Sequence, residues 1–167
     1  QVLIRAMTRL PERVKLALPG QGSLREACMA LAAQLGGGER VLFPGQVQMA
    51  PWYGAADLAV SASRSEGLPF NIMEAMYYGL AVVASRVKGH TDLLEESGAG
   101  LLYPYGDWAA CAGCIQELLQ DPGLVERMGE RGRQAVRAYT LDRVQPVIMA
   151  QYERLVPLGQ SVFAGTV

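Results

Sequence analysis

The sequence has little of what metal-dependent and redox chemistry requires. Its 167 residues hold one histidine, His90, and three cysteines, Cys28, Cys111 and Cys114. A single histidine builds no cluster and no Asp-x-Asp pair occurs, so no bound metal is expected. Cys111-Ala112-Gly113-Cys114 has the spacing of a redox or metal pair, but it lies in a helical pattern with no second cysteine pair. It reads as buried free thiols, which act as small hydrophobes. Charge of one sign is absent too: the formal net charge is -1 with no run of like charges, so nothing favours nucleic acid. No apolar stretch approaches the roughly 20 residues of a membrane span, and no signal-peptide pattern is present. A P-loop is excluded because no Gly-Lys-Ser/Thr occurs. Gly20-Gln21-Gly22 could open a dinucleotide fingerprint, but Arg25 stands where the third glycine belongs, so no nicotinamide or flavin cofactor is expected.

What is present is a 50% hydrophobic chain, long enough for one domain with a substantial core. It opens inside a helical pattern, with Leu3, Ala6, Met7 and Leu10 on one face, and reads as a segment of a longer protein. Strand-like runs follow at Val14–Leu18, Val41–Phe43, Leu58–Ser61, Ala81–Ser85 and Leu101–Tyr103. Leu58–Ser61 and Ala81–Ser85 are nearly uncharged, as suits central parallel strands covered on both faces. Ser23 with Glu26 reads as a capping box opening a helix whose apolar face is Leu24, Ala27, Cys28, Leu31 and Leu35, ending at Gly36-Gly37-Gly38. A short helix is expected over Ala50–Gly54. Three more follow from Trp108 to Leu119, from Pro122 (with Asp121 as cap) to about Tyr139, and from Leu141 to about Leu155. The alternation predicts an α/β domain over residues 1–155, a doubly wound Rossmann-like parallel sheet with C-terminal helices, and an uninformative tail over 156–167.

Ligands of such sheets bind beyond the carboxyl ends of the strands. Four loops follow strands: those at Gly20, Gly45, Glu66 and Lys88-Gly89-His90. The Glu66 loop is the most informative. Glu66 and Glu74 are separated by seven residues, between an apolar strand and a short helix. Unpaired N–H groups at such a turn favour an anion. The two acids suit a ligand that carries hydroxyls beside its phosphates. Glu74 also fits a capping box with Asn71. Glu66 has no local structural reason, its alternative being a solvated loop acid.

Ser63-Arg64-Ser65-Glu66-Gly67-Leu68-Pro69-Phe70-Asn71-Ile72-Met73-Glu74-Ala75-Met76, followed by Gly79-Leu80-Ala81-Val82-Val83-Ala84-Ser85, resembles the signature of family 4 glycosyltransferases, retaining enzymes of the GT-B fold. The resemblance extends to Leu18–Leu24, Arg40–Gly45, Ala55–Asp57, Gly100–Pro104 and Gly106-Asp107, and covers roughly residues 1–155. The wording of the Leu68–Ala75 segment is closest to the capsule and exopolysaccharide branch. The resemblance implies the donor-binding C-terminal half of an enzyme that moves a sugar from a nucleoside-diphosphate sugar to a glycan or lipid-linked acceptor. A uridine donor is suggested by the branch alone. Glu74 would bind ribose hydroxyls, and Glu66, as the catalytic residue, would face the donor sugar, holding its hydroxyls and steadying positive charge near the anomeric carbon. The segment from Gly67 to Asn71 (Gly67, Leu68, Pro69, Phe70 and Asn71) would cradle diphosphate or sugar with its backbone N–H groups. Gly45 to Val47 would border the base, and Gly20, Gln21 and Gly22 would line the nucleotide cleft. Lys88 reads as phosphate contact or solvated charge, His90 as sugar or acceptor contact or structural, and Arg64 as a partner of Glu66 or of phosphate. The family places a Gly-Arg turn, a lysine and the acceptor domain in a segment ahead of Gln1, so the isolated chain is expected to be inactive. A cytoplasmic enzyme is implied, with association at the inner membrane face left open. The alternatives are a GT-B sugar-nucleotide epimerase or phosphorylase, or a non-catalytic α/β binding module.

Overall fold

The computed structural model describes residues 1–155; the tail over 156–167 lies outside the described residues. Helix α1 (Val2–Ala6) runs into a 3-10 turn at Met7–Arg9, then β1 (Leu16–Ala17), α2 (Arg25–Gln34), β2 (Val41–Leu42) and α3 (Met49–Ala55). The second half alternates strictly: β3 (Leu58–Ser61), α4 (Phe70–Tyr77), β4 (Ala81–Ser85), α5 (Lys88–Ser97), β5 (Gly100–Tyr103). Helices α6 (Trp108–Gln120), α7 (Pro122–Val136) and α8 (Leu141–Leu155) close the described chain, with a 3-10 turn at Arg137–Tyr139 before α8.

All strand pairings are parallel: β1 with β2, β3 with β4, and β4 with β5. The strands form two hydrogen-bonded ladders, β1-β2 and β3-β4-β5. Helix α2 shares one core with α1 and α6, whereas α4, α5 and α7 pack against one another on the opposite face. The crossover helices α2 and α4 lie on opposite faces, and with the usual right-handed crossover this carries the two ladders outward in opposite directions. That is the doubly wound arrangement, and it makes β1 and β3 the innermost strands, each with one edge unpaired among the described residues, at the switch point.

Strand β4 shows why the pattern works. Ala81 and Val83 enter the core shared with α1 and α6, and Val82 and Ala84 enter the core under α4, α5 and α7. With period two and no charged side chain, the strand is buried throughout on both faces. The same expectation for β3 is corrected: as an unpaired-edge strand it is only partly buried apart from Ser61. Asp121 caps α7 as expected, accepting from Leu124 N, with Pro122 in the first turn.

The Ser23 capping box does not form. Gly22 O accepts from Arg25 N at 3.1 Å, which holds Ser23 and Leu24 in a turn, and α2 begins two residues later without a side-chain cap. Its inner face accordingly shifts to Ala32, supported by Cys28, Leu31 and Leu35, while Leu24 and Ala27 are exposed. Lys88-Gly89-His90 is not a loop but the first turn of α5. That helix ends at Gly98, whose φ of 62° is the left-handed C-terminal conformation glycine supplies.

Candidate functional site

The expected residues gather in two groups at strand ends. The first is built on β1 and β2. Gly20 N donates to Gly45 O at 2.6 Å, so the two glycine loops touch directly. Gly20 and Gly45 have φ of 119° and 77°, backbone that other residues rarely adopt. Gln21, Gly22, Ser23, Arg25, Glu26 and Gly45 line an open groove of about 710 Å³. Val47 is half-buried beside it in sequence, ahead of α3.

The second group is built on β3, β4 and their following helices. Glu66 lies in the β3–α4 connection with a half-buried side chain, and its backbone carbonyl accepts from Gly89 N at 3.1 Å. Gly89 is needed here: a Cβ would lie 2.6 Å from Gly67 O and 2.7 Å from Glu66 O. The first turn of α5 therefore presses on the Glu66 loop, backbone to backbone. Among the described residues the Glu66 carboxylate makes no hydrogen bond or ion pair, nor does Arg64, which is exposed. Lys88 is exposed and paired with Asp92 at 2.5 Å, one helical turn on.

Helix α4 starts at Phe70, with Pro69 at the cap and no side-chain cap. Asn71 is thus inside the first turn, and the Asn71–Glu74 capping box is overturned. Pro69 has no N–H, and Phe70 N donates to Leu68 O at 3.0 Å. Of the four N–H groups in the segment from Gly67 to Asn71, those of Gly67, Leu68 and Asn71 are unpaired among the described residues. Phe70 and Leu68 expose their side chains, whereas Pro69 is buried. Glu74 is exposed one turn into α4, and its Oε2 accepts from the Tyr53 hydroxyl at 3.1 Å. Burial first, then the hydrogen bond and charge of Glu74, push the Tyr53 phenol from 10.0 up to about 12.

His90 is not a ligand contact in this structure, because it is wholly buried. Its Nδ1 lies 2.8 Å from Ser85 O, which as a carbonyl can only accept, so Nδ1 carries the proton. Nε2 is then an acceptor, and it has no partner. Ser85 Oγ donates to Ser63 O at 2.6 Å, and Tyr103 donates to Ser61 O at 2.8 Å. These buried bonds tie the end of β3 to β4 and β5. Sequence reasoning missed them and missed Tyr53, since each joins residues at least 18 positions apart. Leu93, Leu94 and Gly98 were the available signal for α5.

Cys111 follows the buried-thiol reading, and Cys114 is a free thiol that is only half-buried. Burial pushes Cys111 up to about 11 and raises Cys114, so neither is a ready thiolate. No group of three or more His, Cys, Asp or Glu suited to a metal occurs among the described residues. Nor is any helix among them long and apolar enough to cross a membrane.

Fold and site together define a doubly wound domain with an anion-receptive helix start and two acids at its strand ends. The chain belongs to the glycosyl transferases group 1 family, whose model matches residues 1–135. It is 35% identical over 135 residues to the lipopolysaccharide core biosynthesis glycosyltransferase LpsE of Rhizobium meliloti, covering 80% of this chain and 39% of that protein. Among solved structures it resembles sucrose-phosphate synthase of Thermosynechococcus elongatus, at 30% identity and a TM-score of 0.85 over 92% of this chain and 41% of that one. Anabaena Alr3699/HepE, solved with UDP and glucose, shares the fold at 23% identity with a TM-score of 0.86, over 92% of this chain and 44% of that one. The chain thus spans about two fifths of the length of these proteins. Its architecture is that of the Rossmann-like C-terminal half of a GT-B glycosyltransferase.

Proposed function

We propose that the whole protein is a retaining glycosyltransferase that moves a sugar from a nucleoside-diphosphate sugar to a glycan or lipid-linked acceptor in exopolysaccharide or capsule synthesis, with this chain as its donor-binding half. The observation that carries the reading is the unpartnered, half-buried Glu66 beside the unpaired N–H groups of Gly67, Leu68 and Asn71. The name of LpsE, a glycan-assembling relative, and the UDP bound by Alr3699/HepE support it. A uridine donor fits that neighbour.

The N–H groups at the start of α4 stabilise the negative charge of the departing diphosphate. Glu66 orients the donor sugar's hydroxyls and stabilises positive charge growing at the anomeric carbon. Glu74 accepts from the ribose hydroxyls. The leaving diphosphate takes the acceptor's proton on the same face, which retains configuration, and positioning supplies much of the remaining acceleration. The free edges of β1 and β3 suit one further strand, ahead of Gln1, bringing the Gly-Arg turn and lysine that the resemblance implies. No metal is given a role.

In the full-length protein, Glu66→Ala should lower kcat about 100-fold or more while UDP affinity changes only a few-fold. Product analysis should show the donor's anomeric configuration kept. Wild-type turnover by Glu66→Ala overturns its role, and inversion ends the retaining assignment. Residues 1–155 alone should bind nucleotide weakly and transfer nothing; measurable transfer by them refutes the division of labour.

A further inference from the structure

Glu74 sits on the exposed side of α4, with no ion pair and no capping role to fix its carboxylate among the described residues. A glutamate in that setting samples many rotamers, and a ligand must then order it. One group already does so. The Tyr53 hydroxyl, reaching from α3, lies 3.1 Å from Glu74 Oε2 and 3.1 Å from Asn71 O. A phenol carries a single proton, and the ionised carboxylate is the stronger of these two acceptors. The Tyr53 ring is itself placed by the Tyr78 ring, with centroids 5.5 Å apart.

We infer that Tyr53 is a positioning residue that presets Glu74 for the adjacent hydroxyls of a ribose, and that it thereby sets the preference for ribonucleotide ligands. The inference rests on the reading that Glu74 binds ribose. The chemistry favours a tyrosine over a cation here. A neutral donor holds one carboxylate oxygen and leaves the negative charge intact, so Oε1 and the remaining lone pair of Oε2 can accept from two neighbouring hydroxyls. A lysine or arginine would neutralise the acid it oriented. A phenol of ordinary pKa 10.0 already keeps its proton at neutral pH, and this one is raised further, to about 12, so it stays a donor. Ordering the acid before the ligand arrives removes that cost from binding.

The test compares UDP with 2′,3′-dideoxy-UDP by calorimetry on the full-length protein, in wild type, Tyr53→Phe, Glu74→Ala and the double variant. Wild type should prefer UDP about tenfold or more, and Glu74→Ala should abolish the preference. Tyr53→Phe should shrink it about three- to tenfold with dideoxy-UDP affinity held within about twofold, and add nothing in the Glu74→Ala background. A merely bracing tyrosine would weaken both ligands equally, and that result overturns the inference. So does an undiminished preference in Tyr53→Phe, or a further loss in the double variant. If Glu74→Ala keeps the preference, the ribose reading of Glu74 fails first and takes this inference with it. If UDP does not bind, the same pair of measurements with GDP and ADP decides, and binding by none of them sinks both.

Discussion

Tyr103 and Cys111 meet beneath β5, and burial, as the leading cause, raises the titration of both. Tyr53 is raised by burial and by Glu74. These are neutral acids whose folded pKa exceeds the unfolded value. Their stabilising contribution is therefore complete below the unfolded pKa and fades as pH climbs through the folded one. For Tyr53 the window runs from 10.0 to about 12. The urea midpoint should fall less between pH 9 and pH 11 in Tyr53→Phe than in wild type; an equal fall would show that folding does not raise this phenol. Glu66 was legible in the sequence because nothing local explains a carboxylate in its turn. Glu74 was legible through its spacing from Glu66 and the family signature, although a capping box with Asn71 also fitted it. Tyr53 was not, since its link to Glu74 spans 21 positions and depends on α3 meeting α4.

At the scale of elements, each misreading has a local cause. Ser23 and Asn71 both satisfy the composition of a capping box, but the chain turns differently at each: one helix starts later, the other earlier. Caps depend on backbone angles that composition does not determine. Helix α5 was hidden because Gly89 and Thr91 in its first turn weaken the helical pattern. Tertiary contact accounts for that glycine. Replacing it with alanine gains about 0.5–1 kcal/mol of helix preference, but crowding the Glu66 and Gly67 carbonyls costs about 1–3 kcal/mol. Crowding outweighs helix preference. Gly89→Ala should lower the melting temperature and weaken UDP binding together, because α5 and the Glu66 loop cannot separate without moving both. A more stable Gly89→Ala protein would show that the loop yields freely.

For the whole molecule, the core is divided by the sheet, and the helices differ in what they give it. Leu118 on α6 is 1% exposed, while Ile148 on α8 is 48% exposed and α8 buries none of its residues among those described. For residues 1–167, Leu118→Ala should cost about 2–5 kcal/mol and Ile148→Ala less than about 0.5 kcal/mol, read from denaturant midpoints. A large loss at Ile148 would mean that α8 packs against a further surface. The sequence by itself determined the order of the strands and of every helix but α5, the doubly wound class, and the acid pair that follows β3. Those follow from hydrophobic period and turn chemistry, which act over a few residues. Tertiary structure alone decided that β1-β2 and β3-β4-β5 form separate ladders, that His90 is buried rather than offered to a ligand, and that Tyr53 holds Glu74. Each depends on which distant segments touch, and burial, close backbone approach and hydrogen bonding exist only once they do.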